Sequence, residues 1–258
     1  MKEIYKRILS GIIGLLLLVF ILNKGGNYLY ISVFLISLIG LREFYKAMET
    51  KKTIPSYYLG YIGSLGIYIF YLFFNNYLLP FVVILILLTL ISMVFNKSVS
   101  IEGIAVTLLG IIYIPFMLLH IVFLDKTIFL YLVFIIAFAT DTFAYIVGNL
   151  FGKNKLCPSI SPKKTIEGSI GGIIGTLIIV FIFSIYFEIT PIWKMIILSV
   201  FTSIIAQLGD LVASRIKRIS GIKDYGFIMP GHGGVLDRFD SIIFSAPVVY
   251  YFISIFIN

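Results

Sequence analysis

The sequence predicts an all-α integral membrane protein, a polytopic bundle of about nine transmembrane helices. Of its 258 residues, 60% are hydrophobic and only 12% are charged, whereas soluble domains carry roughly 25% charged residues. The mean hydropathy is +1.09. A helix needs about 20 apolar residues to cross the hydrocarbon core of a bilayer, and the chain supplies this length several times. A soluble protein is therefore excluded.

Nine apolar segments are candidate membrane spans. They are Leu9–Leu22, Leu29–Leu41, Tyr57–Phe74, Leu78–Phe95, Ala105–Leu124, Ile128–Leu150, Ile170–Phe187, Met195–Ala213 and Ile242–Ile257. The first is short and the eighth contains polar residues, so eight or ten spans are also compatible with the sequence. Lys2, Lys6 and Arg7 precede the first segment as in a signal peptide, but no small-residue cleavage site follows it. We therefore expect a retained first span.

The positive charges are distributed unevenly between the two sides of the predicted bundle. If the N-terminus is cytoplasmic, every Lys and Arg except Lys24, Lys126 and Lys194 lies on the cytoplasmic side. This is the usual asymmetry of membrane proteins. The net charge of +8 is thus explained by topology, and no nucleic-acid partner is expected. Nine spans place the C-terminal Asn258 on the far side.

The chain divides into two parts of different composition. Residues 1–125 form about five N-terminal spans with short connections. Residues 126–258 form a second region, in which acidic residues enter the spans and two polar loops, 151–169 and 214–241, face the cytoplasm. We expect the catalytic chemistry in this second region. The single cysteine, Cys157, excludes an intrachain disulfide and is expected to be an ordinary loop residue.

Two of the predicted spans carry polar side chains. Asp141 lies within the sixth span, where an acid costs at least about 2.5 kcal/mol on insertion. It predicts either a functional cavity or a bond to a hydroxyl group of a neighbouring helix. The eighth span has a polar stripe at intervals of three or four residues, formed by Ser203, Gln207, Asp210, Ser214 and Lys217. We expect this stripe to line a polar cavity open to the cytoplasm.

The loop 151–169 has the composition of an anion site. Lys163, Lys164 and Thr165 lead directly into the seventh span. A helix N-terminus presents unpaired N–H groups and a positive dipole end, so two adjacent lysines there would suit a triphosphate. Glu167 follows among these cations, where it could bind a metal ion or pair with a lysine.

The loop 214–241 combines cations, carboxylates and glycines. Its candidate site residues are Ser214, Lys217, Arg218, Lys223, Asp224, His232, Gly233, Gly234, Asp237, Arg238 and Asp240. The glycines allow close approach of a ligand to the backbone. Carboxylates without thiols are ligands for Mg²⁺ bound to phosphate. The loop therefore predicts a phosphate and metal site at a membrane surface.

In this loop the sequence S-x-x-K-R-x4-K-D-x-G, followed by P-G-H-G-G-x-x-D-R-x-D, resembles the signature of phosphatidate cytidylyltransferases (CDP-diacylglycerol synthases). The runs Asp141–Lys153 and Ser161–Gly168 resemble other motifs of that family, and Met229 is a small departure from its pattern. The resemblance implies that CTP and phosphatidate give CDP-diacylglycerol and pyrophosphate. It also implies Mg²⁺ with a second, monovalent cation such as K⁺, a homodimer, and location in a bacterial inner membrane.

The resemblance and the residues together suggest a role for each site residue. Asp210 and Asp237 would hold the metal, with Asp224 and Asp240 as further ligands or as partners of the cations. Lys217, Arg218, Lys223 and Arg238 would bind the two anionic substrates. Lys163 and Lys164 would bind the departing pyrophosphate, close to Thr165 and Glu167. Asp141 would complete the acidic cluster. Ser214, Gly233 and Gly234 would contact substrate, and His232 would bond to a phosphate or support the loop.

Two other functions are compatible with a membrane-embedded polar site. A CTP-dependent polyprenol kinase would transfer the γ-phosphoryl group instead of the cytidylyl group. A secondary transporter would use Asp141 and Asp210 as coupling-ion sites. Transporters of this kind often have two related halves with interrupted helices, whereas here the acidic spans occur only in the second part of the chain.

Overall fold

A computed structural model describes residues 2–49, 53–95, 100–228 and 233–257, with side chains from residue 9 onward. Within these ranges most residues are helical. The helices are α1 (Lys2–Lys24), α2 (Gly26–Glu49), α3 (Tyr57–Phe73), α4 (Leu78–Phe95), α5 (Ile101–Ile111), α6 (Met117–Phe123), α7 (Phe129–Phe151), α8 (Ile166–Tyr186), α9 (Ile192–Ser220) and α10 (Leu236–Phe256). A π-helical segment, Ile112–Phe116, joins α5 to α6 and contains Pro115, which cannot donate a backbone hydrogen bond.

The helices confirm an integral membrane protein. Seven described helical segments are long and apolar enough to cross a membrane, with α5 and α6 counted as one, and the apolar helices Leu9–Lys24 and Tyr57–Phe73 are shorter. Each of the nine predicted spans coincides with one of these segments. Large apolar side chains such as Leu16 and Leu88 are 65% and 57% exposed, as expected where lipid replaces water around the protein.

The chain forms two compact units. The N-terminal unit contains the described residues of Met1–Val122 together with Ile219–Arg238, and the C-terminal unit contains Phe123–Arg218 and Phe239–Asn258. The first boundary lies close to the sequence division at residue 125. The described residues of the loop that follows α9 thus belong to the N-terminal unit.

The core of the N-terminal unit is built around Tyr45 of α2, which is fully buried. Its hydroxyl donates a 2.8 Å hydrogen bond to the Thr107 carbonyl oxygen in α5. Glycines on α3 and α5 make room for the ring, because a Cβ atom at Gly60 or at Gly110 would lie 2.4 Å from a ring carbon of Tyr45. The ring and its hydrogen bond thus join three helices at one point.

The C-terminal unit depends on close packing of α7 against α8. A Cβ atom at Gly172 would lie 2.9 Å from the Thr140 carbonyl oxygen, so the two backbones are nearly in contact. The Thr140 hydroxyl donates to Ser203 of α9 at 2.9 Å and lies 2.8 Å from the Thr176 hydroxyl of α8. Since Thr140 has one hydroxyl proton, Thr176 is the donor to Thr140. This buried network joins α7, α8 and α9.

A short antiparallel hairpin connects α7 to α8. Its strands are β1 (Lys155–Cys157) and β2 (Ser161–Thr165), with Lys155 opposite Thr165 and Cys157 opposite Ser161. The sequence analysis treated this segment as an irregular loop and did not predict the strands. The hairpin matters because it holds the two lysines of the predicted anion site on an ordered strand that runs directly into α8.

We expect the substitution Gly172→Ala to destabilise the protein, because the added methyl group must push α8 away from the backbone of α7. Overpacking of this kind costs about 1–3 kcal/mol. The matched control is Gly14→Ala in α1, where a Cβ atom would meet nothing within 4 Å. Thermal unfolding in detergent should give a lower Tm for Gly172→Ala only. Equal Tm values for the two variants would contradict the proposed backbone contact.

Candidate active site

The C-terminal unit contains a polar cavity of about 250 Å³ formed by α7, α8, α9 and the hairpin. It brings together many of the residues predicted from sequence. Its polar lining residues include Asp141, Tyr145, Asn149, Lys163, Lys164, Thr165, Ser169, Gln207 and Asp210. Two other cavities in the described part of this unit have largely apolar walls, whereas this one presents lysine and aspartate side chains.

An ion pair between the hairpin and α9 is the main charged contact in the cavity. The Lys164 ammonium group lies 2.5 Å from Asp210 Oδ2, and each side chain is about a quarter exposed. The Ser214 hydroxyl, one turn further along α9, donates to Asp210 Oδ1 at 3.2 Å. Because both groups of the pair remain accessible, an anionic ligand can compete for the lysine and a cation for the carboxylate.

The polar stripe of α9 faces the interior of the unit. Ser203 is fully buried, Gln207 is 7% exposed and Lys217 is 9% exposed. The Gln207 amide donates to the Ser169 carbonyl oxygen of α8 at 3.3 Å. Beyond the stripe, Arg218 is exposed and its Nε donates to the Ile160 carbonyl oxygen at 3.3 Å, a contact that fixes the tip of the hairpin to the end of α9.

Thr165 has a structural role at the start of α8. Its side-chain oxygen accepts a hydrogen bond from the Gly168 N–H at 3.1 Å, which caps the helix. The cap fixes the point at which β2 ends and α8 begins. Lys163 and Lys164 are therefore held two residues and one residue before the capping residue, beside the positive end of the helix dipole.

Glu167 does not line the cavity that contains Asp210. Its carboxylate accepts hydrogen bonds from the backbone N–H groups of Lys153 and Asn154, at 3.1 and 3.2 Å, and from the Asn154 side chain at 2.8 Å. The carboxylate thus closes the loop between α7 and the hairpin. This contact differs from both sequence-based alternatives, a metal ligand and a partner of a lysine side chain.

Asp240 of α10 is a neighbour of Asp210. A Cβ atom at Gly209 would lie 2.8 Å from the Asp240 carbonyl oxygen, so the glycine lets α10 approach α9 beside Asp210. Asp210, Asp141 and Lys217 all act electrostatically on the Asp240 carboxylate. Within the described ranges, no group of three or more His, Cys, Asp or Glu is arranged to hold a metal ion. The acidic cluster therefore consists of neighbouring carboxylates, of which Asp210 is paired with Lys164.

In the N-terminal unit, Asp237 organises the end of the loop that follows α9. Its Oδ2 atom accepts hydrogen bonds from the backbone N–H groups of Tyr225 at 2.8 Å and Gly234 at 3.0 Å. Gly233 has φ +86°, a conformation that favours glycine. The predicted glycines Gly233 and Gly234 thus shape the turn around the Asp237 carboxylate. The sequence predicts that Asp210 and Asp237 hold a metal ion together. Because the two residues belong to different units, this stays a prediction.

Glu43 of α2 supports the loop that follows α9 and was not among the residues predicted from sequence. The residue is 6% exposed, and its carboxylate accepts the backbone N–H groups of Val235 at 3.0 Å and Leu236 at 2.8 Å. A Cβ atom at Gly234 would lie 2.6 Å from its oxygens. Its spacing in the sequence could have indicated that it is buried. Glu43 lies three residues after Gly40 and four before Ala47, on the same face of α2, and both of these residues are buried.

The remaining predicted residues are distributed as follows. Lys223, Asp224 and Arg238 are exposed residues of the N-terminal unit. His232 and Met229 lie outside the described residues, so the predicted phosphate contact of His232 stays a prediction.

The fold defines a polytopic membrane protein, and its C-terminal unit contains a cavity that bears lysine and aspartate side chains. Residues 5–256 match the model of the Cytidylyltransferase family. The chain belongs to this family.

Curated relatives cover nearly the whole chain. The chain is 38% identical over 251 residues to the phosphatidate cytidylyltransferase of Staphylococcus haemolyticus, covering 94% of this chain and 96% of the relative. It is 37% identical over 250 residues to the protein of the same name from Staphylococcus saprophyticus, with the same coverage. A segment of 123 residues, 47% of this chain and 46% of the relative, is 45% identical to the phosphatidate cytidylyltransferase of Bacillus subtilis.

We expect Glu43→Gln to loosen the loop that contains Lys223, because one of two buried backbone N–H groups then loses its acceptor. An unsatisfied buried donor costs about 1–3 kcal/mol. The measurements are Tm in detergent and the rate of trypsin cleavage after Lys223. The matched control is Glu102→Gln, at an exposed position in the first turn of α5. Unchanged Tm and cleavage in Glu43→Gln would show that the carboxylate does not hold the loop.

Proposed function

We propose that the chain is a CTP:phosphatidate cytidylyltransferase, a nucleotidyltransferase that makes CDP-diacylglycerol and pyrophosphate for phospholipid synthesis. The observation that carries the proposal is the cavity of the C-terminal unit. There, Lys163 and Lys164 lie beside the start of α8 and Asp210 lies opposite them. Family membership and the names of the curated relatives support the same reaction.

The proposed chemistry is an in-line displacement at phosphorus. A phosphate oxygen of phosphatidate attacks the α-phosphorus of CTP, a new P–O bond forms, and the bond from the α-phosphorus to the β-phosphate oxygen breaks. Pyrophosphate leaves with that bond's electron pair. Because the lipid phosphate is already a nucleophile, the protein has to position two anions and neutralise their charge.

Lys163 and Lys164 are placed to receive the phosphates of CTP and then the pyrophosphate. The accessible Lys164 ammonium group is paired with Asp210. We propose that Lys164 exchanges this carboxylate for a phosphate oxygen when CTP binds. Lys217, largely buried on the polar stripe of α9, would offset the charge of the nearby aspartates.

The carboxylates of the C-terminal unit fit Mg²⁺. This cation is usually held by one or two carboxylates together with water and substrate phosphates, so a cage of three protein ligands is not required. Asp210 and its neighbour Asp240 are the candidate ligands in this unit, and Asp237 remains the candidate from the other unit. Bound Mg²⁺ would neutralise phosphate charge and polarise the reacting phosphorus. A second cation such as K⁺ is proposed from the family resemblance alone.

The reaction is tested with purified protein in detergent, phosphatidate, Mg²⁺ and CTP labelled at the α-phosphorus. We expect the α-label to appear in CDP-diacylglycerol. When CTP is labelled at the γ-phosphorus instead, no label should appear in the lipid. Transfer of γ-label to a lipid would identify a kinase. Solute flux across proteoliposomes without CTP turnover would identify a transporter.

In the same assay, Asp210→Asn should lower the turnover rate by about 100-fold or more, the scale seen when a preorganised charge is removed from an active site. The control is Glu188→Gln, which removes an exposed carboxylate in the connection between α8 and α9 and should retain normal turnover. Both variants should purify with wild-type Tm. An Asp210→Asn variant with near-normal turnover would remove Asp210 from the proposed site.

We also propose that the N-terminus and the loops 151–169 and 214–241 face the cytoplasm of a bacterial cell, where CTP is available. The support is the concentration of Lys and Arg on that side. A homodimer is proposed from the family resemblance, and chemical cross-linking in native membranes tests it.

The orientation can be measured at the single native cysteine, Cys157, in the hairpin. A variant with Cys157→Ser and Ser159→Cys places the thiol at an exposed position of the same loop. We expect a membrane-impermeant maleimide to label it in inverted vesicles and not in intact cells. The control, Cys157→Ser with Glu188→Cys, should show the opposite pattern. The reverse result for both variants would invert the proposed topology.

A further inference from the structure

A second cavity, of about 600 Å³, lies entirely within the N-terminal unit, between the last turns of α2 and the loop that follows α9. The function proposed above assigns no substrate to it. Three of its lining residues are cations: Arg42 and Lys46, one turn apart on α2, and Lys223 on the loop. Apolar residues form other parts of the wall, including Ile39, Phe227 and Ile228.

The charges of this cavity favour an anion. Arg42, Lys46 and Lys223 are exposed, so a ligand can reach all three cations. Two carboxylates also line the cavity. Both oxygens of Glu43 accept hydrogen bonds from the backbone N–H groups of Val235 and Leu236. The other carboxylate, Asp224, is exposed. The cavity wall therefore carries three exposed cations and one exposed carboxylate, that of Asp224.

The apolar part of the wall favours a lipid over a soluble anion. Phe227 and Ile228 are 88% and 58% exposed at the loop, and large exposed apolar side chains beside cations are typical of the boundary between a bilayer and water. Arg42 and Lys46 occupy the end of a membrane-spanning helix, where lipid phosphates lie. Basic pockets at such positions bind phosphorylated lipid headgroups.

We propose that this cavity binds the phosphate monoester headgroup of the lipid substrate, with Arg42 and Lys46 as its phosphate-binding residues. Ile39, Phe227 and Ile228 contact the glycerol and the first part of the acyl chains. The assignment of that lipid as phosphatidate rests on the function proposed above. The site brings α2, from the part of the chain without sequence motifs, into substrate recognition together with Lys223.

The kinetic test uses mixed detergent micelles, in which the mole fraction of phosphatidate and the concentration of CTP are varied independently. The variant Arg42→Gln with Lys46→Gln should raise the KM for phosphatidate by about tenfold or more, since hydrogen bonds to charged groups contribute about 1.5–3 kcal/mol each. The KM for CTP should stay within twofold. Lys24→Gln removes an exposed cation from the end of α1 and should leave both KM values unchanged.

A second variant, Phe227→Ser with Ile228→Ser, separates a lipid from a soluble phosphate as the ligand. It should raise the KM for phosphatidate without affecting CTP, because only a lipid would contact these side chains. A rise in the KM for CTP in the Arg42 and Lys46 variant would assign the cavity to the nucleotide and overturn the proposal. Unchanged KM values for both substrates in this variant would also overturn it.

A binding measurement keeps this inference separate from the proposed reaction. Dioctanoyl phosphatidate should raise the Tm of the wild-type protein in detergent, and inorganic phosphate at the same concentration should have a much smaller effect. The Arg42 and Lys46 variant should lose the stabilisation by the lipid. If the wild-type protein makes no CDP-diacylglycerol but shows this pattern, the reaction fails and the lipid site stands. Equal stabilisation of wild type and variant would reject the site.

Discussion

The buried carboxylate of Glu43 joins two segments that are almost 200 residues apart in sequence. Its two oxygens accept hydrogen bonds from the backbone N–H groups of Val235 and Leu236 at the start of α10. N–H groups at the start of a helix have no partners within the helix itself. Glycine at position 234 is required there, because a side chain would collide with the carboxylate. The turn around Asp237 and one wall of the cavity that contains Arg42 both depend on this contact. These two N–H groups offset part of the cost of burying the carboxylate.

The C-terminal unit contains both buried and accessible polar side chains. Its hydroxyl network of Thr140, Thr176 and Ser203 is buried and internally bonded, so it stabilises the packing of three helices without leaving an open site. Further along α9, Asp210 is accessible and pairs with Lys164. The same helix face thus carries a buried hydroxyl in its middle and an accessible ion pair further along. The small residues of α7 and α8 allow this packing.

The positions of the spans could be predicted from sequence because hydropathy is a local property. Any segment of sufficient apolar length must become helical in a bilayer, where the backbone has no water to bond to. The polar stripe of α9 was predictable for the same reason, since its spacing alone puts its residues on one face. The hairpin was not predicted, because Lys155–Cys157 and Ser161–Thr165 are short, polar strands whose pairing is non-local. The hydrogen bonds of Glu167 to Lys153 and Asn154 were not predicted either, because they depend on the fold of that loop.

The sequence by itself determined the membrane fold class, the order of the spans, the loops that carry charge and the family resemblance. Each of these depends on residue type and on spacing along the chain. Only the tertiary structure decided that Glu43 supports the loop after α9, that Gly209 brings Asp240 to Asp210, and that Arg42 and Lys46 face a cavity with Lys223. These contacts depend on which helices become neighbours. That choice is made by packing of small residues and by pairing of buried polar groups, which spacing within one helix does not specify.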